Sequence, residues 1–408
     1  MAHANQARRS GKWFILFDNL LVLLGFYMVV PMVSLHFVDQ LGWAAASVGL
    51  ALGARQLTQQ GLGLFGGMLA DRFGAKPLII GGMLLRALGF ALMAVAQAPW
   101  VLVLSCLLAG LGGVLFDPPR IALVAKLVRP RERAHFYSIM MMQESAGAVS
   151  GALLGSWLLR FDFFWVGLVG TAVFLMVALA NWLILPAWRV SRSRTAAPLA
   201  SMRLVLGDRH FMRFVLTLSG YYMLYVQVLL LMPIVMKKLT GSMAAVGWMY
   251  TLETCLSLTL LYPLARLGER WLRRETRMLI GLAMMSLCWA SMVWVTQALP
   301  AFLALGLLYL GSIIVEPARE AYVAGLADPQ ARASYMGASR LGLALGGSLG
   351  YFGGGWLYDL GQRLYRPGLP WMTLALVGGL TWLALWRQFR LPRRQQAGTA
   401  AVSGCPVA

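Results

Sequence analysis

The sequence predicts an all-α integral membrane protein, with twelve transmembrane helices in two parallel six-helix repeats and both termini in the cytoplasm. Three observations carry this reading: the composition, the spacing of the apolar runs and an internal repeat. Of 408 residues, 59% are hydrophobic and only 12% charged, and the mean hydropathy is +0.69. A soluble domain carries about twice that charged share, so water is not the main solvent. The net charge of +20 raises the question of nucleic acid. The basic residues lie between apolar runs, however, and not on one soluble face, so lipid is the expected partner and nucleic acid is not.

Twelve apolar runs of spanning length follow one another: 13–37, 44–70, 77–97, 100–127, 134–159, 163–187, 211–236, 243–265, 276–296, 299–325, 333–358 and 370–389. Each reaches the ~20 residues that a helix needs to cross hydrocarbon. Helices are expected because backbone groups left unpaired in lipid cost several kcal/mol each, and alternating ten-residue strands are absent. Residues 1–12 are polar and no short apolar run with a cleavage site follows, so no removable signal is expected.

Orientation comes from the basic residues. With the amino terminus inside, 25 of the 35 Lys and Arg fall on the cytoplasmic side, five on the opposite side and five within spans. That bias puts both termini in the cytoplasm, and the expected location is a bacterial inner membrane. The four cysteines are scattered and form no CxxC pair, so free thiols are expected.

Sliding the chain against itself by 199 residues lays "GGVLFDPPRIALVAKLVRPRERA" over "GSIIVEPAREAYVAGLADPQARA" and gives fifteen identities across 112–158. Pro118 falls on Pro317, Arg120 on Arg319, and Asp117 on Glu316. Gly147, Gly151 and Gly155 fall on Gly346, Gly350 and Gly354. The expected domains are a six-helix bundle over 1–187, a cytoplasmic linker over 188–210 and a second bundle over 211–408 with a short basic tail. Two parallel repeats joined inside describe a transporter that rocks about a central site. The Gly147/Gly151/Gly155 spacing also makes a small-residue face for close helix packing.

The loop between spans 2 and 3, "GGMLADRFGAKPL" (66–78), packs three charges between glycines. It resembles the signature of the major facilitator superfamily, G-x-L-a-D-r-x-G-r-[rk], through Gly67, Leu69, Ala70, Asp71, Arg72, Gly74 and Lys76, with Ala75 in place of a basic residue. The resemblance implies a cytoplasmic gate. In that family the loop's acid caps the start of span 11, and its basic residues pair with an acid near the cytoplasmic end of span 4, the place of Asp117. A carboxylate there gains from the unpaired donors of a helix start. The second half keeps only "LARLGER" (264–270), with Arg266 where the acid would stand.

"LGFYMVVPMVS" (24–34) and "AGAVSGALLG" (146–155) are similar to elements of the family's twelve-span drug:H+ antiporter branch, with Ser34, Ala148 and Ala152 as departures. Span 4 lacks that branch's mid-helix basic residue. The resemblance, which runs along essentially the whole chain, implies proton-coupled efflux of amphipathic drugs of the fluoroquinolone type by alternating access. A proton gradient would supply the energy, with no cofactor. Its alternative is a proton-coupled symporter or exporter of a small metabolite such as a sugar or amino acid. A monomer is expected.

Ionisable groups inside spans are costly and therefore functional candidates. Carboxylates screened from bulk water load and release protons near neutral pH, which makes Asp18, Glu144 and Glu253 the proton-coupling candidates. Asp117, Arg120, Glu316 and Arg319 lie nearer the cytoplasmic surface and join the gate. For a drug cavity the candidates are Arg55, Gln56, Gln59 and Gln60 on span 2, with Tyr221, Tyr222, Tyr225 and Gln227 on span 7; tyrosines pair an apolar face with a polar tip. Met140, Met141 and Met142 offer an adaptable wall. No catalytic residue or metal site is expected, because the four histidines lie at termini or span ends and neither HExxH nor GxSxG occurs.

Overall fold

The computed structural model describes residues 2–129, 132–185, 204–327 and 332–390, and the regular structure among them is helical. In chain order the longer helices are α1 (Ala2–Ser34), continued by a π-helical segment at Leu35–Gln40, α2 (Ala45–Gly61), α3 (Gly63–Phe73), α4 (Ala75–Ala94), α5 (Pro99–Leu127), α6 (Arg133–Leu158) and α7 (Phe163–Ile184). The second set is α8 (Arg209–Tyr225), α9 (Gln227–Thr240), α10 (Ala245–Trp271), α11 (Arg274–Ser291), α12 (Ala298–Leu326), α13 (Arg332–Arg363) and α14 (Leu369–Arg390). Most of the expected linker and the basic tail lie outside the described residues.

Local chemistry sets the helix ends. Pro99 starts α5, where a missing N–H costs nothing. Asp162 caps α7 by accepting from Phe164 N at 2.7 Å, and Asp208 caps α8 by accepting from His210 N and Phe211 N at 3.1 and 3.0 Å. Gly74 (φ 87°) turns the chain between α3 and α4, a conformation that favours glycine. Two expected spans are broken: the second at Leu62, between Gly61 and Gly63, and the seventh at Val226.

The repeat is visible in the packing. α6 lies on α1 through Gly151 and Gly155, where an added Cβ would stand 2.6 Å from the Leu24 carbonyl oxygen and 2.2 Å from that of Met28. α13 lies on α8 and α9 through Gly350 and Gly354, where a Cβ would stand 3.0 Å from Met223 O and 2.3 Å from Gln227 Oε1. Leu24 and Met223 are themselves 199 residues apart, as are Met28 and Gln227. The glycine ladder is thus a packing face in both halves.

The halves meet along two seams, α2 against α13 and α6 against α10, with α1 touching α9 as well. Among the described residues, seven segments are long and apolar enough to cross a membrane by length and composition alone, including Gly11–Gln40, Pro99–Val124 and Arg209–Thr240. The seam helices α2, α6, α10 and α13 are not among them.

Candidate transport cavity

A cavity of about 400 Å³ opens beside the α6–α10 seam and reaches α1, α8 and α12. Helical spacing explains its walls: Ser138, Met141, Ser145 and Ala148 recur every three or four residues along α6, as do Glu253, Ser257 and Leu261 along α10. Three carboxylates face it, Glu144, Glu253 and Glu316, with Tyr27, Tyr225 and Tyr309 between them.

The three acids are held differently. Glu253 accepts a hydrogen bond from the Tyr225 hydroxyl at 3.0 Å. Glu316 accepts from the Tyr221 hydroxyl at 2.9 Å and pairs with Arg319 Nη2 at 2.5 Å, one helical turn on. Glu144 projects from α6 opposite them. Arg319 also reaches Glu320 at 2.7 Å and sits over the Tyr222 ring at 5.8 Å. A guanidinium thus balances Glu316, whereas the hydrogen bond to Glu253 comes from a neutral phenol.

A second polar cluster fills the first half. Asp117 takes the amide of Gln59 at 2.9 Å and stands 3.7 Å from Arg86. Gln59 Oε1 accepts from Arg55 at 2.9 Å, and Arg55 lies 5.0 Å over the Phe26 ring. Arg120 donates to Asn19, whose amide donates to Gln143 at 3.0 Å. Asp18 is buried beside this cluster and accepts from Asn181 Nδ2 at 2.6 Å.

The structure therefore divides the expected site residues. Tyr225, Glu144, Glu253 and Glu316 line the cavity, as do Met141 and Met142, while Tyr221 and Tyr222 stand behind it. Gln56 packs against Gly347 of α13, and Gln227 donates to Gly350 O at 2.8 Å, so both serve helix seams. Gln60 is 3.5 Å from Arg340. In the loop at Gly67 and Gly74, Arg72 lies 5.3 Å over the Phe73 ring and Lys76 is half-buried; the Asp71 side chain lies outside the described residues. Asp117 is engaged by Arg86 and Gln59. Tyr27 and Tyr309 were not singled out in the sequence, because an isolated tyrosine in a long apolar run carries no periodic signal.

A clasp between the halves sits at the opposite end of the bundle from the Gly74 loop. Asp359, near the end of α13, accepts from Ala45 N and Ala46 N at 2.9 and 2.8 Å and so caps α2 in trans. Asp39 pairs with Lys237. Lys237 adjoins Lys238, the position 199 residues after Asp39, so this pair forms close to the axis relating the repeats.

The family model of the Major Facilitator Superfamily matches residues 15–241 and again 214–404. The chain belongs to this superfamily. It is 56% identical over 397 residues to the multidrug resistance protein MdtH of Salmonella paratyphi B, covering 97% of this chain and 98% of that one, and equally to MdtH of Salmonella newport. Among solved structures it is similar to the nucleoside transporter NupG (TM-score 0.77, 14% identity, 93% of this chain and 99% of that one). A POT family transporter in complex with 5-aminolevulinic acid gives a TM-score of 0.76, with 13% identity over 93% and 95%. At those identities the shared feature is the superfamily's fold. The superfamily consists of membrane transporters and not enzymes, so this chain is a multi-pass membrane transporter.

Proposed function

We propose that the protein is a proton-coupled multidrug exporter of the bacterial inner membrane, crossing it twelve times with both termini in the cytoplasm. The observation that carries this reading is the cavity at the α6–α10 seam, where Glu144 and Glu253 face a space walled by tyrosines and methionines. Aromatic faces and thioethers take amphipathic drugs without demanding one shape, and carboxylates at the wall serve both a proton and a cationic group. The name of the Salmonella relatives supports the drug class. In this reading the two bundles, 1–187 and 211–408, rock about the site. The Asp359 and Asp39 contacts hold the far, periplasmic end closed.

Asp18 is enclosed with Asn181 and not on the cavity, so coupling falls to Glu144 and Glu253. The test is a pH-gradient dye in energised inverted vesicles to which drugs are added singly. A fluoroquinolone should dissipate the gradient with the wild-type protein and fail to do so with Glu253→Gln or Glu144→Gln. Dissipation by a sugar or amino acid and by no drug would move the protein to metabolite transport.

A further inference from the structure

We infer that the second bundle carries a binding site for an anionic phospholipid at the end of the molecule that bears the Gly74 loop. The site joins a basic cleft for the phosphate to an apolar groove for an acyl chain. The cleft, about 810 Å³, lies where α10 ends and α11 begins, and it is closed by the last turns of α12. Arg270, Arg273, Arg274 and Arg277 line it, against one acid, Glu275. Exposed arginines alone would make only a solvated basic surface. Arg277 is different: it is 4% exposed, and its Nε is buried without a hydrogen-bond partner. A buried guanidinium N–H left unbonded is expensive, and Arg277 belongs to the wall of the cleft, where it is the arginine that most lacks an acceptor. The start of α11 faces the same space with no side-chain cap, which leaves its first N–H groups for an anion. Arg274 Nη1 reaches the Ala321 carbonyl at 3.1 Å, which fixes one wall.

The groove decides which phosphate-bearing molecule fits. A second cavity, about 620 Å³, runs between α11 and α14 and shares Arg273 and Glu275 with the cleft. Its walls are Leu279, Ile280 and Ala283 on one side and Trp382, Trp386 and Phe389 on the other. Arg390 lies 3.8 Å over the Trp386 ring at its mouth. Trp271, 72% exposed, stands beside the cleft, as interfacial tryptophans do. A free phosphate would use only the cleft, whereas a phospholipid uses both spaces at once. Basic pockets between membrane helices take such headgroups. The cleft shares no lining residue with the transport cavity and does not depend on the transported substrate.

The test uses the full chain in nanodiscs of phosphatidylcholine doped with spin-labelled phosphatidylglycerol or spin-labelled phosphatidylcholine. The immobilised fraction gives the selectivity of the protein surface. Phosphatidylglycerol should be preferred, and each arginine removed in Arg273→Gln, Arg274→Gln or Arg277→Gln should lower the preference about five-fold. The exposed pair Arg273→Gln/Arg274→Gln gives the reading if loss of Arg277 prevents folding. Ala283→Phe, which fills the groove and leaves every charge in place, should abolish the preference. Unchanged selectivity in the arginine variants would overturn the site. Full displacement of the label by inorganic phosphate, with Ala283→Phe silent, would overturn the lipid in favour of a soluble anion.

Discussion

The two seams that join the halves are related by the repeat, yet they are built differently. Along α2 and α13 the backbones touch: a Cβ at Gly49 would stand 2.2 Å from Tyr351 O, one at Gly355 2.2 Å from Ala45 O, and one at Gly53 2.9 Å from Ser348 O. Along α6 and α10 the corresponding approach is through side chains: a Cβ at Gly247 would stand 2.3 Å from Leu153 Cδ2, and Thr254 donates to Ser145 O at 3.4 Å. Backbone contact closes the first seam at Gly49, Gly53 and Gly355. The second leaves a cavity with three carboxylates. One sequence pattern, duplicated, has thus given a tight backbone seam on one face and a chamber on the other.

The sharpest way to break this comparison is to add bulk to each seam. Gly49→Ala or Gly355→Ala forces backbone apart and should cost about 3 kcal/mol or more, at the upper end of overpacking effects. Gly247→Ala meets the end of a leucine side chain that can turn away, and should cost about 1 kcal/mol. Thermal unfolding of purified protein in detergent checks both. Equal losses would mean that the seams are equally tight and that the cavity has another origin.

The next effect concerns the far end of the tight seam. The Asp359 carboxylate caps α2 from the other half, so Asp359→Asn weakens a contact that exists only while that end is closed. Loss of a charged cap is worth about 1–2 kcal/mol, which should shift the balance toward far-end opening roughly ten-fold. Distances between spin labels at Leu41 and Leu364, both exposed, report it. An unchanged distribution would show that the cap serves only the stability of α2.

At the loose seam, the Tyr225 hydroxyl is the hydrogen-bond donor to Glu253. Tyr225→Phe keeps the ring and removes that bond, which is worth about 1 kcal/mol. Proton-linked drug transport should slow by about five-fold, with the apparent drug affinity changed less than the rate. A wild-type rate would remove this hydrogen bond from the coupling mechanism.

Much of this was legible before any coordinates. The apolar runs coincide with the helices to within a few residues at most ends, because lipid leaves a buried chain little alternative to the helix. The Gly147/Gly151/Gly155 ladder was legible as packing because its period of four matches one helix face. The broken span at Val226 was not, since no glycine or proline marks it; the break at Leu62 at least has Gly61 and Gly63 beside it. The cavity was only half legible. A polar residue in a span reveals that it needs a partner, but the rotation of its helix decides whether the partner is a neighbour or a ligand. Gln56 packs into a seam and Gln227 donates across one, while Glu253 and Tyr225 face the chamber, and the sequence looks alike in both cases.

The smallest effect separates the two ends of the bundle. At the far end, Asp39 and Lys237 bridge the halves with side chains 13% and 24% exposed. At the end bearing the Gly74 loop, Lys12 pairs with Glu132, and both belong to the first half. Lys12 bonded to it, with Arg129 nearby, holds the Glu132 carboxyl below its ordinary range. A lowered folded-state value means that this pair contributes above the ordinary glutamate range and that the contribution fades as pH falls through the lowered value. Glu132 is exposed at the surface, so screening leaves the pair worth little. Glu132→Gln should lower the melting temperature by no more than about 1 °C at neutral pH, and by nothing at a pH low enough to protonate the acid. Asp39→Asn, which breaks a contact between the halves, should change far-end label distances where Glu132→Gln leaves them as they are. If Glu132→Gln alone opened the far end, the two ends would be coupled through the first bundle, and the two seams could not be independent.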